Sequence, residues 1–143
     1  MADPAPREFT MEKILLAYDG GEPARRALEL TADLAHKFGA VVSVVSVTPI
    51  HSGRAPIDPW DDRPVHLGEL REAQQMLRER GVEPQLLSPA GDPARTIERI
   101  ATDGGYDTVI LGSRGLGAVS RALQGSISEH VATHAEATVI VAR

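Results

Sequence analysis

Short apolar runs alternate with helical segments along the chain, and this alternation limits the fold more than any other feature. Three runs are nearly continuous in apolar or β-branched residues: 13–18 (KILLAY), 41–47 (VVSVVSV) and 107–112 (DTVILG). Strands without a polar face have to be covered on both sides, which is typical of parallel sheets between two helical layers. The pattern therefore predicts a three-layer α/β/α sandwich.

The segments between these runs have the spacing of amphipathic helices. From residue 23 to residue 38, apolar residues recur every three or four positions, with charged residues between them. Pro23 suits the first helical turn and Gly39 suits the position after the last. Three further helices are predicted over 66–80, after a cap at Asp92, and over 127–136.

Two weaker runs complete a predicted sheet of five strands. Residues 82–88 contain Pro84, which cannot donate a ladder hydrogen bond, so this strand is expected at an edge. Residues 137–143 (ATVIVAR) form the last strand. The segment 48–65 holds four prolines and one glycine and is predicted to be a long loop.

Length and charge narrow the class of protein. The 143 residues suffice for one domain, expected at 12–143 after a disordered lead at 1–11. A net charge of -5 argues against a nucleic-acid partner, and the absence of cysteine excludes disulfides and thiolate metal sites. No apolar run approaches the roughly 18 residues of a membrane span, and the N-terminus lacks a signal-peptide core, so a cytoplasmic location without a membrane partner is expected.

The glycine-rich segment at 112–126 (GSRGLGAVSRALQGS) has two readings. It leaves the carboxyl end of a buried strand, where open α/β sheets bind ligands. Gly112 and Gly115 permit positive φ and a close approach of N–H groups to an anion. Ser126 and Glu129 have the spacing of a capping box, which predicts a helix start facing the loop. Glycine content alone leaves a phosphate site and a flexible connection both open.

The spacing of these glycines resembles a family signature. Gly112-x-x-Gly115, nine residues and then Gly125-Ser126 resemble the G-2x-G-9x-G-[ST] motif of the universal stress protein family. KILLAYDGGEPARRAL resembles that family's first strand, acidic residue and first helix, and the resemblance extends over about residues 12–142. It implies an adenine nucleotide alpha hydrolase-like fold, with a five-stranded parallel sheet of order 3-2-1-4-5 and two helices on each face.

The resemblance also implies a nucleotide site. Asp19 matches the family's acid near adenine and ribose, Ala17 and Tyr18 line the base, and the Val47 backbone contacts adenine. The positions around the ribose and phosphates are Gly112, Arg114, Gly115, Gly125, Ser126, Ile127 and Ser128. Members with the signature tend to bind ATP, so ATP is the implied ligand, with Mg²⁺ or Mn²⁺ as the accompanying cation. Tyr18 is a departure that could narrow the base pocket or stack on the base.

Other interpretations of the same residues stay open. Asp19 also fits a cap of the turn DGGE, and Arg114 also fits a solvated loop charge. Rival functions are a slow ATPase or autokinase with Ser126 or Ser128 as acceptor, a cyclic-AMP-binding member of the family, and a structural dimer without ligand. No catalytic residue is assigned.

Histidine and aspartate positions raise the question of a metal site. His130 and His134 have the i, i+4 spacing of helical metal ligands, but HVATH lacks the glutamate of HExxH and no third ligand is evident in the sequence. Asp58, Asp61 and Asp62 are interpreted as a solvated loop. The sequence therefore predicts no metal site.

The last strand is expected to form a homodimer. Residues 137–142 are apolar and β-branched, and the implied strand order places them at a sheet edge. An exposed apolar edge is a template for pairing, and two copies can satisfy each other's edges about a twofold axis.

Overall fold

A computed structural model of the chain describes residues 9–50, 63–113 and 127–143. The helices are α1 (Glu22–Phe38), α2 (Arg63–Glu79), α3 (Pro93–Asp103) and α4, the helical residues 127–134. The strands are β1 (Lys13–Ala17), β2 (Val41–Val45), β3 (Thr48–Pro49), β4 (Gln85–Leu87), β5 (Ala90–Gly91), β6 (Thr108–Gly112) and β7 (Thr138–Ala142). No helix in the described ranges is both long enough and apolar enough to cross a membrane.

Five of these strands form one parallel sheet in the order β4-β2-β1-β6-β7. With the short strands β3 and β5 left out of the count, they lie in the order third, second, first, fourth, fifth. β3 and β5 pair with each other in a second, two-stranded sheet that the sequence pattern did not predict. β1 is the central strand, and its Ala17 lies opposite Leu111 of β6.

Each face of the sheet carries its own core. Ile14 and Leu16 pack with α1 and α2 on one face, whereas Leu15 packs with α3 and Val131 of α4 on the other. Successive residues of a strand point to opposite faces, so the apolar residues 14–16 of β1 are buried on both sides. The predicted three-layer α/β/α sandwich with a five-stranded parallel sheet is confirmed.

The helix ends follow the local signals. Pro23 lies in the first turn of α1, and Gly39 ends that helix with a left-handed φ of 69°. The Asp92 carboxylate accepts a hydrogen bond from the Arg95 N–H at 3.0 Å and caps α3.

Several predicted boundaries shift. Met11 is buried in the first core and the Phe9 ring packs on Phe38, so the packed chain extends further toward the N-terminus than the expected start at residue 12. β4 is shorter than the predicted 82–88 because it pairs only with β2 at the sheet edge. α2 begins at Arg63, three residues earlier than predicted. Most of the predicted loop, at 51–62, lies outside the described residues.

Candidate functional site

The carboxyl ends of β1, β2 and β6 meet at one edge of the sheet. The chain runs from β1 through α1 to β2, which pairs with one side of β1. On the other side β1 pairs with β6, and β6 pairs with β7. A reversal of strand order of this kind opens a crevice at the carboxyl ends, where α/β proteins bind ligands. Asp19 follows β1 and Ser113 follows β6, so the fold brings two distant segments to this crevice.

Asp19 shapes the turn between β1 and α1. Its Oδ1 accepts a hydrogen bond from the Gly21 N–H at 2.9 Å, and Gly20 supplies the left-handed φ of 81° that the turn needs. Asp19 therefore caps the turn DGGE, as one of the two interpretations of this residue predicts. This bond occupies one carboxylate oxygen and fixes the side chain at the mouth of the crevice.

Gly112 ends β6 for a reason other than the one predicted. Its φ is not positive, unlike that of Gly20 or Gly39. A Cβ at this position would lie 2.8 Å from both the Ala24 nitrogen and the Pro23 carbonyl carbon. The positive φ that a glycine permits is not used at Gly112, and the missing Cβ instead lets the start of α1 pack directly on β6.

The Tyr18 side chain points into the core between α1 and α2. The ring is 3% exposed, and its hydroxyl donates to Glu72 Oε1 at 3.0 Å. Glu72 also accepts from Arg25 at 3.1 Å, so the phenol belongs to a chain of three polar groups. In this position the ring offers no face to a base, and the idea that Tyr18 stacks on a ligand is not supported.

Burial raises the pKa of Tyr18 to about 12, and this shift predicts weaker folding at alkaline pH. Between its unfolded pKa of about 10 and the folded value, only the unfolded chain loses the phenol proton. The contribution to the free energy of unfolding is thus complete below about pH 10 and is lost as the pH rises toward 12. Tyr18→Phe lacks this ionisation, so urea unfolding should show the parent losing more stability than the variant in that range. Parallel losses in the two proteins would contradict the assignment.

Four of the predicted site residues lie on the α3 side of the crevice or close to it. Val47 belongs to one apolar cluster, and Ala17 and Ile127 pack against it. Ser128, next to Ile127 in sequence, is 5% exposed. The structure thus brings the end of β1, the segment after β2 and α4 together. The predicted residues Arg114, Gly115, Gly125 and Ser126 lie outside the described residues, as does the proposed helix cap at Ser126.

Ser46, His66 and Glu69 form a buried polar cluster near Asp19 that was not predicted from the sequence. Ser46 follows β2, and its Oγ lies 3.0 Å from His66 Nδ1 and 3.4 Å from Glu69 Oε2. His66 Nδ1 lies 3.4 Å from Glu69 Oε1. Burial raises the pKa of Glu69. Contacts with His66 and Ser46 lower this pKa, and the negative charge of Asp19 raises it. The only available signals were a serine in an apolar run and a His-Glu pair one helical turn apart.

Comparison with known proteins agrees with the fold. The model of the universal stress protein family matches residues 10–143. A Thermus aquaticus relative, "Universal stress protein in QAH/OAS sulfhydrylase 3'region", is 32% identical over 133 residues, which span 91% of this chain and 97% of the relative. Universal stress protein UspA from Lactobacillus plantarum superposes with a TM-score of 0.78 at 25% identity, over 95% of this chain and all of that one (100%).

A further solved structure carries a ligand. The universal stress protein from Archaeoglobus fulgidus in complex with dAMP has a TM-score of 0.69 at 22% identity, over 93% of this chain and 98% of that chain. At this identity the likeness is one of fold. The family match over nearly the whole chain and the Thermus relative lead to the same conclusion: the chain belongs to the universal stress protein family.

Proposed function

We propose that the chain binds ATP in the crevice at the carboxyl ends of β1, β2 and β6, and acts as a cytoplasmic nucleotide-responsive binding or signalling module. One observation carries the proposal. β1 and β6 are hydrogen-bonded neighbours, so the turn with Asp19 and the start of the glycine signature at Gly112 lie at the same switch point. This is the position at which doubly wound sheets bind nucleotides.

Ligands of other family members support an adenine nucleotide. Solved universal stress proteins carry cAMP, dAMP and AMP, at 17–22% identity to this chain. These ligands share an adenine ring, a ribose-type sugar and phosphate. The choice of ATP for this chain depends on the signature Gly112-x-x-Gly115 with Gly125-Ser126, because glycine-rich loops bring several N–H groups to a polyphosphate.

In the proposed complex, the nucleoside binds at one end of the crevice and the phosphates bind at the other. Ala17 and Val47 offer apolar surface and backbone groups for the base, and the Asp19 carboxylate is an acceptor for ribose hydroxyls. For the phosphates we propose the signature residues Gly112, Arg114, Gly115, Gly125 and Ser126. We place Ser46, His66 and Glu69 behind the nucleoside end, where burial and then the negative charge of Asp19 raise the pKa of Glu69.

The burial of Ser128 argues against this residue as the phosphoryl acceptor of an autokinase. Ser128 is 5% exposed, so its hydroxyl is poorly placed to accept a phosphoryl group from a nucleotide in the crevice. Phosphoryl transfer needs the acceptor in line with the leaving group. Ser126, the other candidate acceptor, lies outside the described residues. We propose at most slow hydrolysis, with nucleotide binding as the main activity, because the sequence has no P-loop lysine.

Purified protein tests the proposal. The chain is purified without added nucleotide, acid-extracted to identify any bound nucleotide, and then stripped and titrated with ATP and with cAMP by calorimetry. We expect ATP to bind with one site per chain and more tightly than cAMP. Tighter binding of cAMP would identify cAMP as the ligand instead of ATP, and absence of binding to both would refute the proposal.

We also propose a homodimer through β7. β7 pairs with β6 on one side only within the described chain, and Thr138 and Ala142 form hydrogen bonds on that side. Because alternate residues of a strand direct their N–H and C=O to the same neighbour, Val139 and Val141 direct theirs to the open edge. Such an edge is a template for a second copy.

Val141→Lys is expected to convert the dimer into a monomer. Val141 is 37% exposed at the open edge, and a lysine there places like charges next to each other in a twofold pair. Val41→Lys is the matched control, since Val41 is also exposed but lies on β2 beside β1. Light scattering should give twice the chain mass for the parent and the control, and the chain mass for Val141→Lys. A monomeric parent at micromolar concentration would exclude the dimer.

A further inference from the structure

Three metal-ligating side chains converge on the outer helical layer, on the face that packs α3 and α4. Glu98 of α3 and His130 and His134 of α4 each offer one ligand atom, and these atoms lie within 4.8 Å of one another. Glu98 and His130 are half-buried, whereas His134 is exposed. The third ligand that the helix HVATH lacks is supplied by a residue about thirty positions away in sequence.

A hydrogen bond holds the His134 ring as metal sites usually hold a histidine ligand. His134 Nδ1 lies 2.9 Å from the His130 carbonyl oxygen, to which it donates, so Nε2 is the His134 nitrogen left to act as a metal ligand. Metal-binding histidines typically donate the other ring N–H to a carbonyl or carboxylate, which fixes the tautomer. The two imidazole rings stack with centroids 4.1 Å apart and an interplanar angle of 21°. This arrangement aligns the two ligands along one face of α4.

A Glu-His ion pair is the simpler interpretation of half of this cluster. His130 Nδ1 lies 2.5 Å from Glu98 Oε1, a short hydrogen bond between the ring and the carboxylate. That pair does not account for the position of His134, whose ring stacks on the His130 imidazole. Tetrahedral ligands of a zinc ion at about 2.0–2.1 Å lie about 3.3 Å apart, so Glu98 Oε1 and His130 Nδ1 need to separate by about 0.8 Å.

We propose that Glu98, His130 and His134 bind a divalent first-row transition-metal ion, for which Zn²⁺ is the suitable probe. Two imidazoles and one carboxylate are a donor set that Zn²⁺ accepts, and the exposed side of His134 leaves a coordination position for water. Mg²⁺ prefers oxygen ligands and is a poor match. A bound ion would join α4 to α3, and it would thereby stabilise the helix that follows the glycine signature.

Calorimetric titration of the EDTA-treated, nucleotide-free full chain with zinc chloride tests the proposal. We expect one zinc per chain and no binding of Mg²⁺ under the same conditions. Loss of a group that only orients a ligand costs about 10–100-fold in metal affinity, so Glu98→Gln and His134→Ala should each weaken zinc binding at least tenfold. Zinc should also raise the melting temperature of the parent and leave that of His134→Ala unchanged.

Controls separate this site from other histidines and from the nucleotide. His36→Ala removes a histidine whose Nε2 contacts the Arg80 carbonyl oxygen instead, and it should bind zinc as the parent does. ATP titration of His134→Ala should match that of the parent, so a failure of either proposal is visible without the other. Undiminished zinc affinity in both Glu98→Gln and His134→Ala, or no binding by the parent, would overturn the metal site.

Discussion

Gly112→Ala is expected to lower the free energy of unfolding by about 1–3 kcal/mol, the usual cost of adding a methyl group to a closely packed site. The new Cβ would lie 2.8 Å from the Ala24 nitrogen and from the Pro23 carbonyl carbon. Both are backbone atoms at the start of α1, so no side chain can turn away to make room. The first turn of α1 has to move away from β6, and the turn that carries Asp19 moves with it.

Gly68→Ala is the matched control for this change. Gly68 is an exposed residue inside α2, and a Cβ there would meet no atom within 4 Å. Replacing a helical glycine by alanine stabilises a helix by up to about 1 kcal/mol, so the same substitution should act in opposite directions at the two sites. Urea unfolding measures both differences. A Gly112→Ala protein as stable as the parent would show that α1 and β6 do not pack as described.

Gly115→Ala is expected to weaken ATP binding tenfold or more while leaving adenosine binding almost unchanged. If Gly115 turns the loop so that its amides face the phosphates, a Cβ there either strains a positive φ or blocks the approach. Each charge-assisted hydrogen bond lost costs about 1.5–3 kcal/mol. Adenosine has no phosphate, so its affinity depends on the nucleoside end of the crevice.

Asp19→Ala provides the complementary result. Because we propose that Asp19 contacts the nucleoside, its loss should weaken ATP and adenosine by similar factors. Titration calorimetry of both variants with both ligands, with circular dichroism to verify folding, gives four affinities. Equal losses of affinity for ATP and adenosine in folded Gly115→Ala would favour the other interpretation of residues 112–126, a connection between β6 and α4 that binds no phosphate.

The fold was predictable because its signals are local. The apolar runs at 13–18, 41–47 and 107–112 each became a strand of the parallel sheet, since a strand without a polar face can be satisfied only inside three layers. Pro23 and Gly39 mark the ends of α1 because each has a backbone preference that acts within one helical turn.

The site was predictable only in part, because its contacts join distant segments. Asp19 was identified from the family resemblance, and the structure shows the turn that holds it. Ser46, His66 and Glu69 meet only after α2 has packed on β2, so their spacing in the sequence carries no such information. Glu98 lies near His130 for the same reason, through the packing of α3 beside α4.

Two residues illustrate how side-chain environment overrides a motif. Tyr18 stands next to Asp19 in sequence, yet the alternation of β1 sends its ring into the α1–α2 core rather than toward a ligand. Gly112 belongs to the glycine signature, yet its missing Cβ is explained by the start of α1. A motif therefore indicates where a site lies and does not assign the role of each residue in it.

The free energy of unfolding with and without ATP is the decisive measurement for nucleotide binding. A ligand that binds only the folded chain stabilises it by about 2.7 kcal/mol at 100 times its dissociation constant. Chemical unfolding of the parent at saturating ATP should show a gain of about this size, and Asp19→Ala at the same ATP concentration should show a smaller one. An unchanged free energy of unfolding in millimolar ATP, with the protein folded by circular dichroism, would contradict nucleotide binding by this chain.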